Sequence, residues 1–172
     1  MNLAIKITFL ACLIASTQLM AKDYIVEVII FENLSEAKIT EPHAYNAPKK
    51  PRAGAQAWVV DTQLLSDEVT KLERSDNYLV RHHFAWGQES LPFEKAATYT
   101  VIEQEAKGYI KIYADQLLFA NIDLDYKGFR LEEKRRLKLN EKHYFDHPKF
   151  GLLMQVSRLE SPILESADET QN

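Results

Sequence analysis

The segment Tyr24 to Phe31, YIVEVIIF, constrains the fold more than any other stretch of this chain. Successive side chains of a β-strand point to opposite faces. Here both sets are apolar: Val26, Val28 and Ile30 on one side, Ile25, Ile29 and Phe31 on the other, with Glu27 the single charge. Such a strand needs cover above and below and a hydrogen-bonded neighbour on each edge, which predicts a central strand in a layered structure.

The remaining elements follow from periodicity. Leu65, Val69 and Leu72 recur at helical spacing after Ser66, which is placed to cap, with Asp67 and Glu68 suited to a first turn and Asn77 ending the run. One short helix with one apolar stripe is predicted. Tyr78 to Trp86 alternates as a second strand, with Val80, His82, Phe84 and Trp86 sharing a side. Tyr109–Ala114 and Leu118–Tyr126 read as a hairpin whose second strand turns Asn121, Asp123 and Asp125 to water. Lys127-Gly128 is a turn, a charged strand occupies 131–139, and Gly151 to Leu159 places Leu152, Met154 and Val156 inward.

Long loops are expected at about 33–60, where Pro42, Pro48 and Pro51 break the pattern and the segment is extended and solvated, and at 87–107. Within the second, Tyr99 to Ile102 has the composition of a brief edge strand. The order predicts an α+β fold, mainly antiparallel β-sheet with one short helix packed on it. A ferredoxin-like arrangement is compatible with that order.

Residues 1–21 carry one charge, Lys6, then the apolar run ITFLACLIA and a polar-to-small stretch ending in Ala21. This is the layout of a secretory signal peptide, and the run is too short to span a bilayer. The expected organisation is therefore a signal peptide at 1–21, one α+β domain at 22–160 and a disordered acidic tail at 161–172, with no membrane insertion after cleavage. Cys12 is the only cysteine and lies inside the leader. The mature chain would have no thiol for catalysis, disulfide formation or metal ligation. The net charge of −4 offers no global attraction to nucleic acid, and no acyl-transfer triad, phosphate loop or paired-carboxylate glycosidase pattern stands out.

Charge is concentrated locally instead. Lys127 to Lys149 holds eight basic residues against Glu132, Glu133, Glu141 and Asp146. Lys134, Arg136 and Lys138 fall at strand spacing two and would form a row of cations suited to an anionic polymer, or a solubilising edge. Arg135 shares its face with Leu137 and Leu139, so a partly buried pairing with Glu133 is expected. His143-Tyr144-Phe145-Asp146-His147-Pro148 packs two imidazoles, a carboxylate and two aromatics into six residues. A structured turn presenting Tyr144 and a histidine is the expectation. The Pro after His147 and the lack of an H-E-x-x-H spacing argue against a metal-binding helix. Trp86 and Gln88 close the second strand, where an indole could stack on a sugar, although sharing a face with Val80 and Phe84 also suits Trp86 to the core.

The order of these pieces resembles the CsiV family: Tyr24-x-Val26-Glu27-Val28, Tyr78-Leu79-Val80 with Trp86-x-Gln88, Gly108-x-Ile110-x-Ile112, Arg135-Arg136, and His143-Tyr144-Phe145-Asp146-His147-Pro148-x-Phe150-Gly151. The strand-like pieces are generic; the Arg-Arg and His-Tyr-Phe-Asp-His-Pro pair is the specific part. The sequence departs from the family pattern at Gln116 to Ala120, where relatives tend to carry an Arg-Tyr-Leu-His-Leu-like run. The resemblance implies a periplasmic accessory protein that binds peptidoglycan without cleaving it, takes no cofactor and supports cell-wall biogenesis and cell shape. Its implied partners are a class A penicillin-binding protein, the bifunctional synthase, and that enzyme's outer-membrane lipoprotein activator. The residues themselves nominate Lys134, Arg136, Lys138, His143, Tyr144, His147 and Trp86 as ligand-binding candidates. Two other readings stay open at this point: an adaptor using the Pro-rich loop and acidic tail without direct wall binding, and a zinc-dependent wall hydrolase centred on His143, Asp146 and His147 with His82 or His83.

Overall fold

The strand with two apolar faces is held on both edges and covered on both sides. In a computed structural model that describes residues 23–35, 46–52 and 54–159, β1 (Tyr24–Asn33) lies between β3 (Tyr78–Gln88) and β9 (Phe150–Arg158), antiparallel to both. The short β2 (Trp58–Val59) and β8 (Lys142–His147) complete a five-stranded sheet of order β2-β3-β1-β9-β8. A second sheet is a four-stranded meander of β4 (Tyr99–Ile102), β5 (Ala106–Ala114), β6 (Leu118–Tyr126) and β7 (Phe129–Leu137). The predicted leader and acidic tail lie outside the described residues.

The two faces of β1 divide the core. Val26, Val28 and Ile30 pack with Ile110, Ile112, Ile122 and Leu124 of the meander and with Met154 and Val156, making one core between the sheets. Ile29 and Phe31 face the other way and pack with Leu65, Val69 and Leu72 of the helical segment. The helix α1 (Ser66–Glu73) therefore covers the side of the five-stranded sheet that the meander leaves open. The mainly antiparallel α+β expectation holds. A ferredoxin-like arrangement is not confirmed: the described strands divide between two sheets, and β1 and β3, which precede and follow α1, are direct antiparallel neighbours rather than the separated strands of a split βαβ unit.

Four local expectations change. Ser66 is the first helical residue rather than the cap: its hydroxyl donates to the Gln63 carbonyl at 3.0 Å, and Leu65 in the cap position offers no side-chain bond. The Glu27 carboxylate substitutes from the sheet, accepting the amides of Leu64 and Leu65 at 2.7 and 3.1 Å. In β3 the alternation does not run through: Ile30 pairs with His82 but Phe31 with Val80, so a bulge at Arg81 turns Tyr78 and Val80 toward α1 and leaves Phe84 and Trp86 in the inter-sheet core.

The third change is in the loops. Tyr99–Ile102, within the stretch expected to be a loop, is the edge strand of the meander, seated by stacking of Tyr99 on Trp86 at 4.2 Å. The described part of the Pro-rich segment lies over the outer face of the meander. There the Lys49 amide donates to Asp123 at 2.9 Å, and Arg130 donates to the Asn46 carbonyl at 3.0 Å. The fourth change is that residues 142–147 form an extended edge strand rather than a turn; the turn is the two-residue Pro148-Lys149 link between His147 and Phe150.

Candidate functional site

Leu131 and Leu137 of β7 reach the core, so Arg130, Glu132, Lys134 and Arg136 stand on the outer face of the meander beside Asp123, Asn121 and Phe119 of β6. At one end of this row the charge is cancelled. Arg130 donates to both oxygens of Asp123 at 2.8 Å and lies 3.2 Å from Glu132. At the other end Lys134 holds its ammonium over the rings of Tyr113 and Phe119, 5.7 and 5.9 Å from their centroids. These rings stack 5.4 Å apart, and Phe93 meets Tyr113 edge-on at 4.9 Å. Arg136 is exposed and makes no hydrogen bond or ion pair among the described residues.

The expected row of three thus becomes two neighbouring cations without a carboxylate partner, set against an aromatic surface. Lys138 lies past the end of β7 and pairs with Glu141 at 3.0 Å. Arg135, on the opposite face, donates to Glu133 at 2.8 Å and to the Tyr144 carbonyl at 2.7 Å, with its guanidinium over Phe145. It pairs with Glu133 as expected, though its side chain is exposed rather than partly buried, and ties β7 to β8. The sequence reading did not nominate Phe93, Tyr113 or Phe119. Phe119 carried the available signal: a large aromatic on the face shared with Asn121 and Asp123.

The His-Tyr-Phe-Asp-His run splits between the two faces of β8. His143, Phe145 and His147 turn one way. His143 Nε2 accepts the Lys138 amide at 3.0 Å, which secures the crossover from the meander to the other sheet. His147 is buried between Phe129 and Phe150 and accepts the Lys149 amide at 3.2 Å, which secures the hairpin. Tyr144 and Asp146 turn the other way, the phenol donating to Asp146 at 2.6 Å. The two histidines therefore hold backbone, and Tyr144 alone of the three nominated residues presents an open surface. Among the described residues no three His, Cys, Asp or Glu side chains converge as a metal site.

Trp86 corrects an expectation. It is 1% exposed, stacked on Tyr99 and Phe84, and its indole N–H donates to Gln88 at 2.9 Å, while Gln88 donates on to the Ile112 carbonyl at 2.8 Å. The pair joins the two sheets internally and offers no platform to a sugar.

Around Tyr144 the surface is shaped. Its ring stacks on Phe31 at 5.8 Å, and Tyr78 meets Phe31 edge-on at 5.3 Å. Gly151 makes this possible, because a Cβ there would stand 2.5 Å from Phe31 and 2.7 Å from Tyr144. Leu72 and Leu153 continue an open groove of about 290 Å³, edged by Glu68 and Lys71. Burial pushes the Glu68 carboxyl up, but hydrogen bonds from Lys142 and Lys71 more than offset this and hold it below the ordinary value of 4.5.

Comparison with known proteins bears on both surfaces. The family model for CsiV, described as a peptidoglycan-binding protein, matches residues 104–159. The match supports the CsiV family. No curated protein and no solved structure matches the chain. The CsiV match spans β5 to β9 and so contains Lys134, Arg136, Tyr144 and Gly151, whereas β1, α1 and β3 lie outside it. Among the described residues no helix is long and apolar enough to cross a membrane.

Proposed function

We propose that this protein is a non-catalytic peptidoglycan-binding accessory protein of the periplasm, and that it meets the wall through Lys134 and Arg136 on the outer face of the meander. The observation that carries the reading is the match to a peptidoglycan-binding family over the very strands that bear these cations. Stem-peptide carboxylates are the matching anions, and a guanidinium without a partner among the described residues can fork onto one. The adjoining Tyr113 and Phe119 rings add contact area and hold Lys134 in place. Lys138 contributes less, since Glu141 already balances it. In the cell the protein would help a class A penicillin-binding protein through that enzyme's outer-membrane lipoprotein activator, concentrating the synthase on its substrate.

Co-sedimentation of the purified protein with isolated sacculi across a salt series tests the reading. Retention should weaken as salt screens the contacts. The double variant Lys134→Ala, Arg136→Ala should lose most of it, whereas Lys138→Ala should lose little. Absence of the wild type from the pellet at low salt would sink the reading.

A further inference from the structure

Tyr144, Asp146 and Gly151 all come from the run that resembles the CsiV family, and their shared effect is to fix one aromatic ring on the helix side of the five-stranded sheet. Asp146 holds the hydroxyl, Gly151 leaves room beneath the ring, and Phe31 stacks against it. The ring is nevertheless 43% exposed, at the edge of the groove walled by Leu72, Tyr78 and Leu153. A large aromatic restrained on three sides and left open on the fourth is built to be covered by something flat and partly apolar.

The charges at the groove narrow what that is. Glu68 accepts from both Lys71 and Lys142, so each ammonium already has a carboxylate to donate to, although the three groups together keep one net positive charge. Its second oxygen, Oε2, is buried without a hydrogen-bond partner among the described residues. A buried acceptor of this kind favours a neutral donor, an amide N–H or a hydroxyl. The Lys71 side chain beside it is 73% exposed, and a ligand that reaches Glu68 would have to displace part of this cover. Lys134 and Arg136, which have no carboxylate partner among the described residues, lie by contrast on the other side of the molecule.

We propose that this groove binds an N-acetylated hexosamine of the glycan strand, its ring face on Tyr144, its acetamido methyl against Leu72 and Leu153, and its N–H or hydroxyl directed to Glu68. The proposal rests on the wall-binding reading and deepens it: the glycan is read in the groove, and the stem-peptide carboxylates on the basic row of the opposite face.

Chemical-shift mapping of the isotopically labelled protein tests this with soluble probes, an N-acetylglucosamine tetramer, its deacetylated counterpart and a free stem tetrapeptide. The acetylated tetramer should perturb Leu72, Tyr78, Tyr144 and Leu153 and bind more tightly than the deacetylated one. Tyr144→Leu should weaken it about tenfold, whereas Tyr144→Phe, which keeps the ring, should stay within a factor of about two. The inference is overturned if the tetrapeptide and not the sugar moves these signals, or if no signal moves at about 10 mM sugar, the weak end of measurable affinity. Wild-type protein that still pellets with sacculi in either case would leave the wall-binding reading standing; failure to pellet would remove that reading.

Discussion

Glu27 places a carboxylate with no solvent exposure beneath the start of α1, where it accepts two backbone amides and lies 2.6 Å from His83 Nε2. A buried acid is tolerated only when its oxygens are satisfied, and here three donors do so. Glu27→Ala should cost about 3 kcal/mol, because it strands the two amides in an apolar layer. Glu27→Gln should restore part of that, one amide oxygen replacing two carboxylate oxygens. Urea unfolding midpoints of the three proteins measure it; an alanine variant as stable as wild type would show that the helix start does not depend on this carboxylate. The sequence marked Glu27 as the one charge in an apolar strand, which was the available sign of a structural role. Its partners, 37 and 38 residues away, could not be read, because a pairing between a strand and a distant loop leaves no local pattern.

At the level of elements, the apolar strand, the helix, the 109–126 hairpin and the final strand were all legible, since each repeats a 2.0 or 3.6 period over enough residues. What was not legible depended on pairing. The Arg81 bulge reverses the facing of Val80, and only the partner strand reveals it. His143 to His147 carries the turn residues of a loop yet is extended, because β9 supplies its hydrogen bonds. Lys111 is the least expected case. It sits on the outer face of β5, with its ammonium donating to the carbonyls of Arg52 at 2.5 Å and Ala96 at 2.9 Å. Two irregular segments are thereby fastened over the meander, and the desolvation this requires lowers the lysine's pKa. Lys111→Met should leave the Arg52 carbonyl without its donor and the Ala96 carbonyl with the Gly54 amide alone, at a cost of about 2 kcal/mol. Gly54 and Ala55, whose amides bond to Ala96 and Lys95, should then exchange hydrogen faster. Unchanged exchange at both amides would mean that the segments are held by other contacts.

Across the whole molecule, the two sheets are joined at one end by an ionic cluster that no single element contains. Glu32 of β1 pairs with Arg81 of β3 and, at 3.1 Å, with Lys127 from the meander, while the buried Tyr126 hydroxyl donates to Glu32 at 3.0 Å and Glu105 at 3.2 Å. Burial alone would raise the Glu32 pKa, but hydrogen bonds from Arg81, Lys127 and Tyr126 outweigh it and hold the group below 4.5. A depressed acid contributes stability that is fully present above its unfolded pKa and is lost as pH falls through the folded one. Tyr126 behaves in the opposite sense: burial, with Glu32 beside it, pushes its pKa up to about 12 from 10.0. Its contribution is complete below pH 10 and disappears as pH rises toward 12, a loss of at most about 2–3 kcal/mol. Stability measured by urea unfolding should therefore fall at both extremes, and each arm should respond most strongly to one substitution. Glu32→Gln should flatten the acid arm below pH 4.5 and, because Glu32 also helps raise the Tyr126 pKa, should partly reduce the alkaline decline, the share due to burial remaining. Tyr126→Phe should abolish the decline between pH 10 and 12 and only partly reduce the acid slope, because Arg81 and Lys127 still hold the Glu32 pKa down. Were both variants to keep wild-type slopes, the cluster would not be what couples the two sheets to pH, and the pH-independent apolar core between them would be left as their tie.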